Sequence, residues 1–280
     1  MAPMTLFWLR LAVLLYGVAA LAVLPAALYD RARWTLLAVP AAVAAAMFHF
    51  VSLAETLNAA HHRLPVETHE VQSLLALILA LVFLAVYARY RSVSLGVFVL
   101  PIVFLLAMLA AFRPGQENFP MPAKTGWLVL HITLLMAAYA ALLVSLSASI
   151  LYLVQERRLK QRTKTKAGGG GGWLKPFDTP LETIDQIALK TLLFGLPCMT
   201  AGLLIGSVMA LEQDGPAYFS DPKIVLTFGL WAAYVAMIFM RRMSGLRGRR
   251  AVYISSFVVM VVLFVWVANQ FSAVHRFQTP

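Results

Sequence analysis

Eight stretches of this chain are each long and apolar enough to cross the hydrocarbon core of a bilayer. A spanning helix needs about 20 consecutive, mostly apolar residues. Such runs fall at roughly 5–28, 34–54, 71–88, 92–112, 127–154, 191–211, 223–240 and 251–270. No water reaches that depth, so each segment must satisfy its own backbone N–H and C=O groups, which for isolated apolar runs means helices. The expected fold is all-α: a polytopic integral membrane protein of about eight transmembrane helices, a single domain over 1–280. Composition agrees. Hydrophobic residues make up 61% of the chain and charged residues only 12%, about half the share of a soluble domain.

A net charge of +11 and a sequence pI near 10.1 would suggest nucleic acid in a soluble chain. Here the distribution gives another meaning. The connections after runs one, three, five and seven hold 17 of the 23 Lys and Arg, from Arg31 and Arg33 to Arg247, Arg249 and Arg250. Positive loops stay on the cytoplasmic side. That side then carries +12 and the opposite side −2, with Arg10 inside the first run. The excess charge sets topology, both termini are expected outside, and nucleic acid is excluded as a partner. The first run is expected to be kept as an anchor: its basic residues follow the apolar stretch, whereas a signal peptide carries them in front.

The single cysteine, Cys198, lies in an apolar run, so no disulfide forms within the chain, and no C-x-x-C-H haem-attachment motif occurs. The longest connection, 155–190, is expected to be a cytoplasmic loop of two parts. A basic extension to Lys166 leads to five glycines, Gly168 to Gly172, a flexible linker. Then Asp178 or Thr179 as cap, Pro180 in the first turn and Glu182 with Asp185 near the positive helix end signal a helix start. Leu181, Ile184, Ile187 and Ala188 share one face, as a short interfacial helix requires.

Five of the six histidines lie at or beyond outer helix ends, with His49 just inside one. His49 precedes the end of run two, His131 lies one turn into run five, and His275 follows run eight. At 1.5 Å rise per residue, His49 and His131 should differ in depth by no more than about a turn. Neutral imidazoles at one level are suited to ligate a haem iron from opposite faces, with aromatic neighbours covering the ring. Trp127, one turn before His131, and Tyr139, about two turns after it, can share its face. The plain alternative for each histidine is a hydrogen bond to a headgroup or carbonyl. His61, His62 and His69, with Glu67 and Glu70, match no familiar metal-ligand spacing. No phosphate loop, nucleophile elbow or HExxH is present, so no catalytic constellation is visible and no enzymatic activity is expected.

Several stretches together resemble the cytochrome c assembly membrane proteins of the CcsA, CcmC and HemX types. They are Arg63-Leu-Pro-Val-Glu-Thr-His-Glu, Trp127-Leu-Val-Leu-His131 continuing to Ala138-Tyr139-Ala140, Leu181-Glu-Thr-Ile-Asp-Gln, Phe194-Gly-Leu-Pro, Gly202-Leu-Leu-Ile-Gly206 and Asn269-Gln-Phe-Ser-Ala-Val-His275. The resemblance runs discontinuously from His49 to His275. It implies that His131 and His275 flank a haem at the outer face, and His49 resembles a histidine in the second span of related proteins. The outer loop from Glu212 keeps Asp221-Pro222-Lys223 of the family's haem-transfer signature. Ser220 and Ile224 replace its tryptophan and glutamate, and Met209 stands where another tryptophan is usual. Tyr218 and Phe219 offer a stacking surface in that loop. The family's inner histidine corresponds to Phe239. These departures make the HemX-like branch, associated with tetrapyrrole synthesis, the better fit.

The resulting expectation is a membrane protein of the bacterial inner membrane that holds haem b without covalent attachment and supports cytochrome c assembly or haem homeostasis. Its expected partners are haem, the bilayer, and other assembly proteins or a tetrapyrrole-synthesis enzyme. Two readings stand beside it: a haem-independent regulator of tetrapyrrole synthesis acting through 155–190, and a small-solute transporter.

Overall fold

The structure, a computed structural model, describes residues 3–29, 32–59, 68–112, 125–167, 179–215, 220 and 222–243. Among them are seven α-helices and no strand: α1 (Pro3–Tyr29), α2 (Ala32–Ala59), α3 (Thr68–Tyr90), α4 (Gly96–Phe112), α5 (Thr125–Ala167), α6 (Leu181–Asp214) and α7 (Pro222–Met243). Six are long and apolar enough to cross a membrane, and α4 is a shorter apolar helix. Each expected run up to 223–240 therefore falls on one helix. The eighth run, 251–270, lies outside the described residues. The α4 helix starts four residues later than expected, because Ser92 to Leu95 form the turn from α3, and its 17 residues sit at the lower limit for a span.

Cross-helix contacts fix the helix directions. Trp8, early in α1, donates from Nε1 to Glu55, late in α2, at 3.0 Å. His49, towards the end of α2, meets Ser73 at the start of α3. His131 near the start of α5 meets Gly202 far along α6, and Asp185 at the start of α6 meets Arg241 at the end of α7. Successive helices are antiparallel. The end that gathers 91–95, Thr179 and Arg241 is the one the charge pattern expects inside.

Many alanines lie in the interior beside larger residues such as Tyr16 and Phe83, while many large apolar side chains face outward. Ala12, Ala19, Ala42, Ala45, Ala76 and Ala107 are buried, whereas Leu14, Leu21, Leu36, Met47, Phe50 and Phe112 are exposed. In a soluble protein this arrangement would be inverted. Between apolar spans in lipid there is no water to expel, so close backbone approach and van der Waals packing decide which face meets a neighbour. Two clusters result. Ala140, Val144, Ala148 and Leu151 of α5 pack into the larger, with α1 to α4 and the first turns of α6. Ala138 and Leu142, on another stripe of α5, pack into the smaller with α6 and α7. The α5 helix joins the two.

The 155–190 segment departs from the sequence expectation. The basic extension is helical: α5 runs on to Ala167 without a break, with Lys160 pairing to Glu156 one turn back. The separate interfacial helix is absent as such, because α6 is continuous from Leu181 through the span. Its apolar stripe is buried in protein: Ile184, Ile187 and Ala188 join the larger cluster. Pro180 is the N-cap residue and no side chain caps the helix. Thr179 Oγ1 instead shares a 2.9 Å hydrogen bond with Ser92 Oγ, tying the start of α6 to the α3–α4 turn. Asp178 and the glycine run lie outside the described residues. Pro101 and Pro197 sit inside continuous helices, as do Pro25 and Pro40.

The end that gathers Thr179 and Arg241 holds an ion pair: Arg241 Nη2 lies 2.7 Å from Asp185 Oδ1, with the arginine side chain 4% exposed. Removing one member of a buried pair strands the other's charge, at a cost of about 3–5 kcal/mol. Asp185→Ala should lower the thermal stability of the detergent-purified protein by that order. Asp185→Ala combined with Arg241→Met should recover most of the loss, and a double variant as unstable as the single would contradict this account.

Candidate functional site

His131 occupies the second turn of α5, near the start of its apolar stretch. Its Nδ1 lies 2.7 Å from the carbonyl oxygen of Gly202 on α6. A carbonyl only accepts, so Nδ1 carries the hydrogen, and in the neutral ring Nε2 then carries the lone pair. The ring lies directly on Gly206. A Cβ there would fall inside the van der Waals surface of the imidazole, 2.6 Å from Nδ1. One turn along, a Cβ at Gly202 would lie 2.9 Å from Leu135 Cδ2. The two glycines, four residues apart on α6, receive His131 and Leu135, four apart on α5. The sequence quotes this spacing openly as Gly202-Leu-Leu-Ile-Gly206, the small-xxx-small pattern of closely packed membrane helices. Its use as a seat for a histidine was not legible.

Earlier along α6, the helix receives α7. Trp231 Nε1 donates to Thr200 Oγ1 at 3.0 Å, and Gly195 leaves room for the Tyr234 hydroxyl and for Ala141 of α5. Tyr139, expected beside His131, packs against the α5–α6–α7 cluster. Trp127, one turn outward of His131, is 58% exposed.

His49 is placed elsewhere. It is fully buried between α1, α2 and α3. Its Nε2 lies 2.8 Å from Ser73 Oγ, and Tyr16 meets its ring edge-on at 5.9 Å between centroids. The Nδ1 atom and the Tyr16 hydroxyl are buried without a hydrogen-bond partner among the described residues. Above this corner Trp8 stacks on Phe48 with ring planes 7° apart. His49 thus meets α1 and α3, whereas His131 meets α6. Sequence depth placed the two histidines near one level but had no means of separating these corners.

The remaining expected site residues, His275, Tyr218, Phe219 and Asp221, lie outside the described residues, as do His61 and His62. Among the described residues no group of three or more His, Cys, Asp or Glu is placed to hold a metal ion. Phe239, which the resemblance sets against the family's inner histidine, is 62% exposed.

A family model described as "Cytochrome C assembly protein" matches residues 5–273. The chain belongs to the cytochrome c assembly protein family. With the apolar helices described above, this makes it a multi-pass membrane protein. Among its relatives is the cytochrome c biogenesis protein CcsA of Prochlorococcus marinus strain MIT 9312, 29% identical over 190 residues, 63% of this chain and 62% of the relative. The CcsA of Guillardia theta is 29% identical over 215 residues, covering 71% of each chain. The CcsA of Prochlorococcus marinus strain MIT 9215 is 28% identical over 207 residues, 67% of this chain and 66% of the relative. The chain thus covers slightly less than two thirds of the first Prochlorococcus relatives. No solved structure matches it.

The His49 corner generates its own prediction. Ser73→Ala removes the one hydrogen bond that the structure gives the imidazole, and an unsatisfied buried polar group costs about 1–3 kcal/mol. The loss should appear in thermal unfolding. It should add to the effect of His131→Ala within about 0.5 kcal/mol, as for sites with no shared partners. Strong non-additivity would show that the two corners are coupled.

Proposed function

We propose that this family member holds a b-type haem non-covalently near the outer face, where His131 and His275 would hold the iron, and that it supports cytochrome c assembly or haem homeostasis. The observation that carries this reading is the Nδ1–Gly202 carbonyl bond. Histidines that ligate metals characteristically donate their other ring N–H to a carbonyl or carboxylate, which fixes the tautomer and raises ligand basicity. His131 has that arrangement, so its donor set fits haem iron. When bound, haem supplies a redox-active iron whose potential follows its axial ligands and surroundings. The protein's part is to fix the imidazole, exclude water with the α5–α6 packing, and cover the macrocycle. Trp127, with Tyr218, Phe219 and Asp221 in the outer loop, is assigned to that cover. His49, walled in by Tyr16 and Ser73, does not join this ligand pair.

The role for which the relatives are named, cytochrome c biogenesis, supports assembly as the setting. Met209, Ser220 and Ile224 support a place beside the HemX-like branch, which lacks the tryptophan-rich loop. A bacterial inner membrane is the proposed location, with the basic helix ends inside. Partners are haem and other assembly proteins or a tetrapyrrole-synthesis enzyme. No bond-making chemistry is assigned to the protein's side chains.

The test is the visible absorption spectrum of the detergent-purified protein, oxidised and reduced, beside the His131→Ala, His275→Ala double variant. A bis-histidine haem spectrum in the wild type that collapses in the variant is expected. No haem in either, even after haem is added, overturns the reading. That outcome favours a haem-independent regulator working through the basic continuation of α5.

A further inference from the structure

We propose that α6 selects which nitrogen of His131 is offered to a ligand, with the Gly202 carbonyl fixing the tautomer and Gly206 acting as a positioning residue. The inference rests on the haem reading for its consequence but not for its geometry. An imidazole has two nitrogens, and a ring free to flip presents either. At His131 the flip is opposed twice. Nδ1 lies at hydrogen-bonding distance from an oxygen that can only accept, so an Nδ1 without its hydrogen would face the carbonyl lone pairs. The ring also lies where a Cβ of residue 206 would have to be: Cε1, Nδ1 and Nε2 all crowd that point, with Nε2 3.2 Å from it. Glycine at 206 is therefore what lets the imidazole approach α6 closely enough to reach the carbonyl one turn earlier.

The neutral ring is thereby held as the Nδ1–H form, with the basic lone pair on Nε2. Any residue larger than glycine at 206 must push the ring off α6 and lengthen the Nδ1–carbonyl bond. Gly229, on α7, is a built-in control, since a Cβ there meets nothing within 4 Å.

The experiment uses ¹⁵N-histidine-labelled full-length protein, purified without haem, with the His131 resonances assigned by loss in His131→Gln. The expected result is a protonated Nδ1 and a pyridine-type Nε2 in the wild type. In Gly206→Ala the signature should shift towards a mixture of tautomers, and added haem should bind about tenfold to a hundredfold more weakly, the usual penalty for losing an outer partner of a metal-ligating histidine. Gly229→Ala should leave both readouts unchanged. A wild-type His131 protonated mainly on Nε2 overturns the proposal, and this measurement decides the matter even where Gly206→Ala does not fold. An unaltered tautomer in a folded Gly206→Ala overturns it too. Failure of haem to bind the wild type would defeat the haem reading while leaving the tautomer assignment standing, so the two are separable.

Discussion

Close contact between α5 and α6 is the interaction on which the rest of the structure depends. In lipid, apolar side chains gain little by leaving their surroundings for one another, so helices associate where their backbones approach closely. Glycines at 195, 202 and 206 give α6 such a face, and α5 fills it with Ala141, Leu135 and His131 in turn. Farther along α5, Ser145 Oγ donates to the Ala188 carbonyl at 2.9 Å, extending the seam. Because α5 also carries the stripe that packs on α1 to α4, this seam joins the two clusters into one bundle.

The polar groups are few, and most are placed between helices, where they act as specific ties. Trp8 with Glu55 joins α1 to α2, Ser73 with His49 joins α3 to α2, and Trp231 with Thr200 and Arg241 with Asp185 join α7 to α6. Hydrocarbon offers a polar group no alternative partner, so each tie favours one register over others even when its net contribution is modest. The exceptions are informative. Tyr16, Tyr234 and one guanidinium nitrogen of Arg241 lie buried with unpaired polar atoms. Buried polar groups are normally satisfied, so these atoms stand out among the described residues.

Much of the fold could be read from the chain because the membrane reduces it to two questions: where apolar runs stop, and where positive charge collects. The first question located all seven described helices. It erred where a helix outlasts its apolar stretch. Neither the lysine- and arginine-rich turns of α5 beyond Gln155 nor the early turns of α6 are apolar enough to look like a span, yet both continue one. The stripe of Ile184, Ile187 and Ala188 had the spacing of a surface helix but faces protein, because periodicity gives a face and not its partner. The site was less legible still. His131 and His49 look alike as intramembrane histidines near one level. What distinguishes them is a pair of glycines more than 70 residues away in one case and Tyr16 with Ser73 in the other, and pairing across helices of this kind leaves no local mark.

The length of α5 has a geometric consequence. Its 43 residues form one unbroken helix, about 65 Å from end to end at 1.5 Å per residue, roughly twice the hydrocarbon thickness. His131 rides near one tip and the lysine- and arginine-rich turns form the other. The imidazole near one end and the cationic turns at the other are therefore carried on a single continuous helix.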